Sequence, residues 1–159
     1  MGSETPSDFS QIELFADADA LPRDAMQAVL ELGRRYGARV VTVSSINHQI
    51  DTPNHITVDA SPQAADMKIV SSIHKDRRTI VVTQDYGLAA LVLGKGARVL
   101  SPTGYEFTNQ NIDRLLFERA LHAKERKAGK HPKGPRARTQ TDKEQFAATL
   151  ERLLRELSS

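Results

Sequence analysis

Five aspartates stand where apolar runs give way to turns or helical stretches. The run at 12–16 (IELFA) leads into Asp17-Ala18-Asp19, and the run at 79–83 (TIVVT) leads through Gln84 into Asp85. Between them, the short run at 56–58 ends at Asp59, and Asp66 follows in the first turns of the next helical stretch. Carboxylates gathered in one place repel one another and partly protonate unless a cation neutralises them. Hard oxygen donors of this kind suit Mg²⁺ or Mn²⁺, which commonly keep several waters. Such an ion lowers the pKa of a coordinated water and stabilises charge on a phosphoryl oxygen, so the expected chemistry is metal-assisted phosphodiester hydrolysis. Each aspartate also has a plainer role open to it. An Asp after a strand caps the next helix or tolerates a turn. Asp19, just ahead of Leu21-Pro22, suits an N-cap, and Asp66 suits the positive end of a helix dipole. Asp17 and Asp85, behind the two clearest strands, are the pair on which the functional reading turns.

For those side chains to meet, the elements carrying them must lie parallel. Residues 12–16, 40–44 (VVTVS), 56–58, 79–83 and 98–100 read as strands, with 98–100 the last. Helical stretches alternate with them. The first opens at Pro22 and runs through Ala25, Met26, Val29, Leu30 and Leu32 to a stop at Tyr36-Gly37. Ser61-Pro62 opens a second, whose apolar face holds Ala65, Ile69, Val70 and Ile73, and 87–93 forms a short third. Thr108 is the expected cap of a fourth through Ile112, Leu115, Leu116 and Ala120. Thr141 or Asp142 is the expected cap of a last one through Phe146, Leu150, Leu153 and Leu154. Such alternation predicts an α/β fold with a mostly parallel central sheet flanked by helices, in three Rossmann-like layers, with C-terminal helices. Ligands of such folds sit beyond the C-terminal strand ends, at a topological switch point. If the sheet is parallel, Asp17 and Asp85 emerge at that edge.

The chain's 159 residues fit one domain, with an ordinary balance of 39% hydrophobic and 26% charged residues. There is no cysteine, which excludes disulfides, thiolate catalysis and cysteine-bound zinc. Neither a signal-peptide order nor an apolar run of spanning length is present, so a cytoplasmic location is expected and no membrane partner. The net charge of +2 hides an asymmetry: residues 124–138 hold seven Lys/Arg against one acidic side chain, leaving fifteen basic and nineteen acidic on the rest. A basic segment on an acidic body suits a polyanion, through counterion release, although a solvated linker has the same composition. Residues 1–10 are expected to be disordered, 11–123 to form the domain, 124–140 a basic linker, and 141–157 a helix packed on the domain.

The stretches FADADALPRD, DASPQAADMKIV, VVTQDYGLAALVLGKGARVLSPTGYEFT and KGPRARTQTDKEQF resemble the YaiI/YqxD family of small bacterial proteins over nearly the whole chain. That family looks like a branch of the PIN-like nuclease superfamily, so the resemblance implies a metal-dependent nuclease that acts on RNA rather than DNA. It places Asp17 and Asp85 at the PIN aspartates after the first and fourth strands, and Asp66 at a helix position for a further acidic ligand. Asp17, Asp66 and Asp85 thereby become the expected Mg²⁺ or Mn²⁺ ligands. Asp17, Asp19 and Asp85 become the expected catalytic residues, with Asp19 an auxiliary ligand or water-orienting base. Two departures stand out: Leu21 replaces the usual cysteine after D-A-D-A, and Thr103 stands where the S/N-P-R-G turn has arginine.

The expected substrate contacts are Lys124, Arg126, Lys127, Lys130, Lys133, Arg136 and Arg138, with Ser44 at a strand end. These same cations would serve a protein that binds nucleic acid without cutting it. With only 5% aromatic residues for base stacking, backbone contact would dominate. An apolar strand followed by D-x-D also opens haloacid-dehalogenase phosphatases. That reading needs a later lysine and a late acidic pair, and Lys95 lacks the context. The five histidines form no close ligand pair and read as surface or polar-contact residues.

Overall fold

A computed structural model describes residues 11–45, 54–58, 63–74, 77–129 and 136–158. In chain order it contains β1 (Glu13–Asp17), α1 (Arg23–Arg35), β2 (Arg39–Ser45), β3 (His55–Val58), α2 (Ala64–Ser72), β4 (Thr79–Val82) and α3 (Tyr86–Gly94). After these come β5 (Arg98–Leu100), β6 (Glu106–Phe107), α4 (Ile112–Lys127) and α5 (Gln140–Ser158). The sheet order is β3-β2-β1-β4-β5-β6. The first five strands are parallel, and β6 returns antiparallel to β5.

The run IELFA is apolar but for Glu13 because its strand is buried on both faces. Leu14 and Ala16 point to one side, with Ile80, Val82 and Leu100, and meet Ala25 and Val29 of α1 and Phe146, Leu150, Leu153 and Leu154 of α5. Phe15 points to the other, with Val41, Val43, Val81 and Val99, against Ile69 of α2, Leu88, Ala89 and Val92 of α3, and Ile112 of α4. Helices thus cover both faces of a mostly parallel sheet, in three layers. No described helix is long and apolar enough to cross a membrane.

Several boundaries differ from the sequence reading, each for a local reason. The strand at 98–100 is not the last. Ser101 N donates to Tyr105 O (2.8 Å), Gly104 takes φ +87°, and the chain turns back as β6. A two-residue strand is too short to show a period. Thr108 makes the capping bonds expected of it one turn ahead of α4: Asn111 N donates to its Oγ1 (3.3 Å) and its own N donates to Asn111 Oδ1 (2.9 Å). Ile112 N donates to its carbonyl (3.0 Å), although α4 proper runs only from Ile112. The cap of α5 is Thr139, whose Oγ1 accepts from Asp142 N (3.1 Å) while Asp142 Oδ2 accepts from Thr139 N (3.0 Å). This reciprocal pair places the expected caps Thr141 and Asp142 inside the helix. Pro22, at the cap position of α1, leaves that helix without a side-chain cap, so Asp19 does not serve there. The proposed opening at Ser61-Pro62, and Asp59, lie outside the described residues.

Candidate functional site

The chain runs from β1 out through β2 and β3, then returns to β4 on the other side of β1. The switch point therefore lies between β1 and β4, where a parallel α/β sheet opens a crevice at its C-terminal edge. Ala16 is paired with Val82. Asp17 is the next residue of β1 and shares the parity of Phe15, so it projects towards α2, α3 and α4. Asp85 follows two residues after Thr83, which accepts Asp85 N on its Oγ1 (3.0 Å) and so sets the turn. Asp85 Oδ1 accepts from Gly87 N (2.8 Å) and Leu88 N (3.1 Å), making it the N-cap of α3. The plain capping role and a place in the crevice coexist in this residue. Asp66 lies in the first turn of α2.

These three carboxyls feel one another. Asp66 is pushed up to about 6, first by burial, then by the negative charge of Asp85, a hydrogen bond to its carboxyl, and the charge of Asp17. Asp17 is raised as well, by burial foremost and by the charges of Asp19 and Asp85, against the backbone amides of Asp19 and Ala20. Among the described residues no group of three or more His, Asp or Glu side chains is arranged to hold a metal ion. Of the described residues, Arg119 of α4 stands beside the three carboxyls, its Nη1 3.7 Å from Asp85 Oδ1. A Cβ at Gly87 would sit 3.2 Å from that oxygen, so glycine leaves room for the carboxylate. The sequence reading missed Arg119. It stands three residues after Leu116 and four after Leu115, on the inward stripe of α4, and a cation on that stripe was the available signal.

Asp19 does not face the crevice with both oxygens. Its Oδ2 accepts from Ser45 N (2.7 Å), pinning the loop after β1 to the end of β2. Gln84 completes the brace with a bond to Ala20 O (3.2 Å). Ser44 is fully buried on the opposite sheet face from Asp17, where its Oγ meets His55 Nε2 (2.7 Å) and Thr42 Oγ1 meets Nδ1 (2.5 Å). That corrects its reading as a substrate contact, and it makes His55 the polar-contact residue expected of the histidines. Lys95 donates to Val70 O (2.8 Å) beyond the end of α3, holding the end of α2 rather than a phosphoryl group.

The basic segment divides. Lys124, Arg126 and Lys127 are exposed on the last turn of α4, where they complement the helix dipole, so the segment begins as helix rather than linker. Lys130 and Lys133 lie outside the described residues. Arg136 is bound through both terminal nitrogens to Asp142 (2.8 Å each). Arg138 is bound through two nitrogens to Asp24 of α1 (2.9 Å each) and donates to Pro102 O (2.6 Å). Of the two arginines expected on the substrate, Arg136 is engaged with the first turn of α5 and Arg138 fastens the start of α5 to α1 and the turn after β5.

Comparison with known proteins agrees with the resemblance at family level. A UPF0178 protein of Heliobacterium modesticaldum is 43% identical over 145 residues, covering 91% of this chain and 98% of the relative. One from Halalkalibacterium halodurans is 42% identical over 152 residues, covering 92% and 94%. Among solved structures, a point mutant of Rae1 (YacP) from Bacillus subtilis aligns with a TM-score of 0.43 and 20% identity, covering 75% of this chain and 84% of that one, a likeness too slight to transfer anything. The model of the uncharacterised YaiI/YqxD family (DUF188) matches residues 15–156. The chain therefore belongs to the YaiI/YqxD (UPF0178) family.

Proposed function

We propose that the protein is a PIN-like, Mg²⁺- or Mn²⁺-dependent nuclease that hydrolyses phosphodiester bonds, in RNA rather than DNA. One observation carries the reading: carboxyls from three separate segments converge at the switch point of the sheet, where burial first and then the charges of Asp85 and Asp17 push Asp66 up to about 6. The donors fit the ion. They are hard carboxylate oxygens, and among the described residues Arg119 brings one positive charge against the three carboxylates, so a divalent cation would balance the rest. Asp17, Asp66 and Asp85 would hold it, with water completing the shell. When bound, such an ion supplies an activated water and stabilises charge on the phosphoryl oxygens.

The chain's own residues do the positioning. Asp85 is fixed by two backbone amides of α3, and Asp17 by the bond its Oδ1 accepts from Asp19 N (3.1 Å). Asp19, tied to Ser45, is in this reading a positioning residue rather than a base. Arg119 is placed to meet a phosphate. Seven residues on, Arg126 lies on the same stripe of α4 and extends that charge along the helix. A protein that merely binds nucleic acid would lean on the basic segment, two of whose arginines are engaged internally. The test is cleavage of single-stranded RNA with Mn²⁺ by the natural sequence, Asp17→Asn and Asp85→Asn. Cleavage that needs the metal and is lost in both variants supports the proposal, and equal cleavage by all three, or by none, refutes it.

A further inference from the structure

On the β5–β6 side of the carboxyls lies a concavity of about 760 Å³, within the range of small-molecule sites. Asp85 and Arg119 line it, and they also line a second concavity of about 620 Å³ that contains Asp66. The two hollows therefore share a wall made of one carboxylate and one guanidinium. Phe107 lies buried beneath the first hollow and meets two tyrosines edge-on: Tyr86 with ring centroids 5.5 Å apart and Tyr105 with 5.6 Å, each pair inclined at 64°. The whole sequence has three Tyr, five Phe and no Trp. Three of those eight rings thus surround one hollow beside the acidic group. Core packing accounts for Phe107, but it does not account for Tyr105, which leaves 42% of its surface in water. Low aromatic content suggested that base stacking would contribute little, an expectation drawn from the number of rings and not from their placement.

We propose that this hollow is a nucleobase subsite. The base of the nucleotide adjoining the phosphate at the carboxyls lies against Tyr105 and Tyr86, and Arg119 on the shared wall takes that phosphate. An aromatic platform suits any base, because every base presents a π face, and a guanidinium beside it suits the attached phosphate. The position of the subsite rests on the nuclease reading; its test does not. The four 5′-nucleoside monophosphates, with ribose 5-phosphate as the sugar-phosphate probe, are titrated in chelator against the full chain while the tyrosine ring protons are followed by NMR. Tyr36, held at 2.8 Å to Glu151 on the α1–α5 side, is an internal control.

The expected result is that at least one nucleotide shifts the rings of Tyr86 and Tyr105 but not those of Tyr36, and that ribose 5-phosphate binds about tenfold more weakly. Tyr105→Ala should weaken the nucleotide by about tenfold, since its ring is half in water and its removal spares the core. Arg119→Gln should weaken the nucleotide but not the matching nucleoside. Asp17→Asn should bind as the natural sequence does while cutting no RNA, which separates failure of the subsite from failure of the nuclease. The proposal is overturned if none of the four binds, if the sugar phosphate binds equally well, or if Tyr105→Ala binds undiminished.

Discussion

At the C-terminal edge of the sheet, Asp17, Asp66 and Asp85 are gathered with one neighbouring arginine, while at the start of α5, Arg136 and Arg138 are matched one to one with Asp142 and Asp24. Both groups drew attention in the sequence as concentrations of charge. The first leaves negative charge in excess, and Asp66 rises to about 6. The second is neutral within itself, and its carboxyls move the other way: Arg136 holds Asp142 down at about 2, and Arg138 holds Asp24 below its ordinary value. Charge density alone does not separate the two groups; the balance of charge within each does.

The contrast can be broken or sharpened by experiment. The largest effect is expected on cleavage. Asp17→Asn and Asp85→Asn should each lower RNA cleavage by about a hundredfold or more, while Arg138→Ala should leave the cleavage rate of the folded protein unchanged. A comparable loss from Arg138→Ala would place the arginines in the site after all. Stability should respond in the reverse pattern. Arg138→Ala removes a paired fork and a carbonyl contact, and should lower the unfolding free energy by about 2–3 kcal/mol in a urea titration.

A smaller effect of opposite sign is expected at Asp66. Its folded pKa stands above the model-peptide 3.8, so the folded state holds its proton more tightly and loses stability as pH rises from about 4 through about 6. In chelator above pH 6, Asp66→Asn should therefore melt higher than the natural sequence, and added Mn²⁺ should narrow or invert the gap. Asp142 runs the other way: its contribution is intact above about 4 and is lost as pH falls towards 2. A melting temperature for Asp66→Asn at or below that of the natural chain, in chelator above pH 6, would remove the like-charge argument. The smallest effect concerns the exposed cations of α4. Replacing Lys124, Arg126 and Lys127 with Ala should flatten the salt dependence of RNA binding by a slope of about two, and Arg136→Ala should not change it.

The alternation of strands and helices was legible because most of the strands are short apolar or β-branched runs that stop at turn residues, as with TIVVT before Gln84-Asp85. The pairing of Asp17 with Asp85 followed from one rule about parallel sheets. Ser44 was misread because the run VVTVS is suited to burial on both faces, so its composition does not tell which residues face the crevice. His55 fixes that parity by bridging Thr42 and Ser44 from the neighbouring strand, a contact no local pattern announces. The fates of Arg136 and Arg138 were hidden for a related reason. Asp24 stands 114 positions from Arg138, and a local count of charges does not register a partner at that distance. Arg119 was overlooked because it is one cation on a helix that holds several, distinguished only by the stripe it occupies.

The central place of β1 also governs when the crevice comes into being. Its pairing with β4 sets Glu13 against Thr79, closing a loop of sixty-six residues. Contacts that distant form slowly, because the entropy of closure is lost before the strands reward it. A chain emerging from the ribosome holds Asp17 long before Asp85 exists beside it, and the fourth strand must dock before the two can share anything. Whatever the crevice does, a nascent chain does not do it.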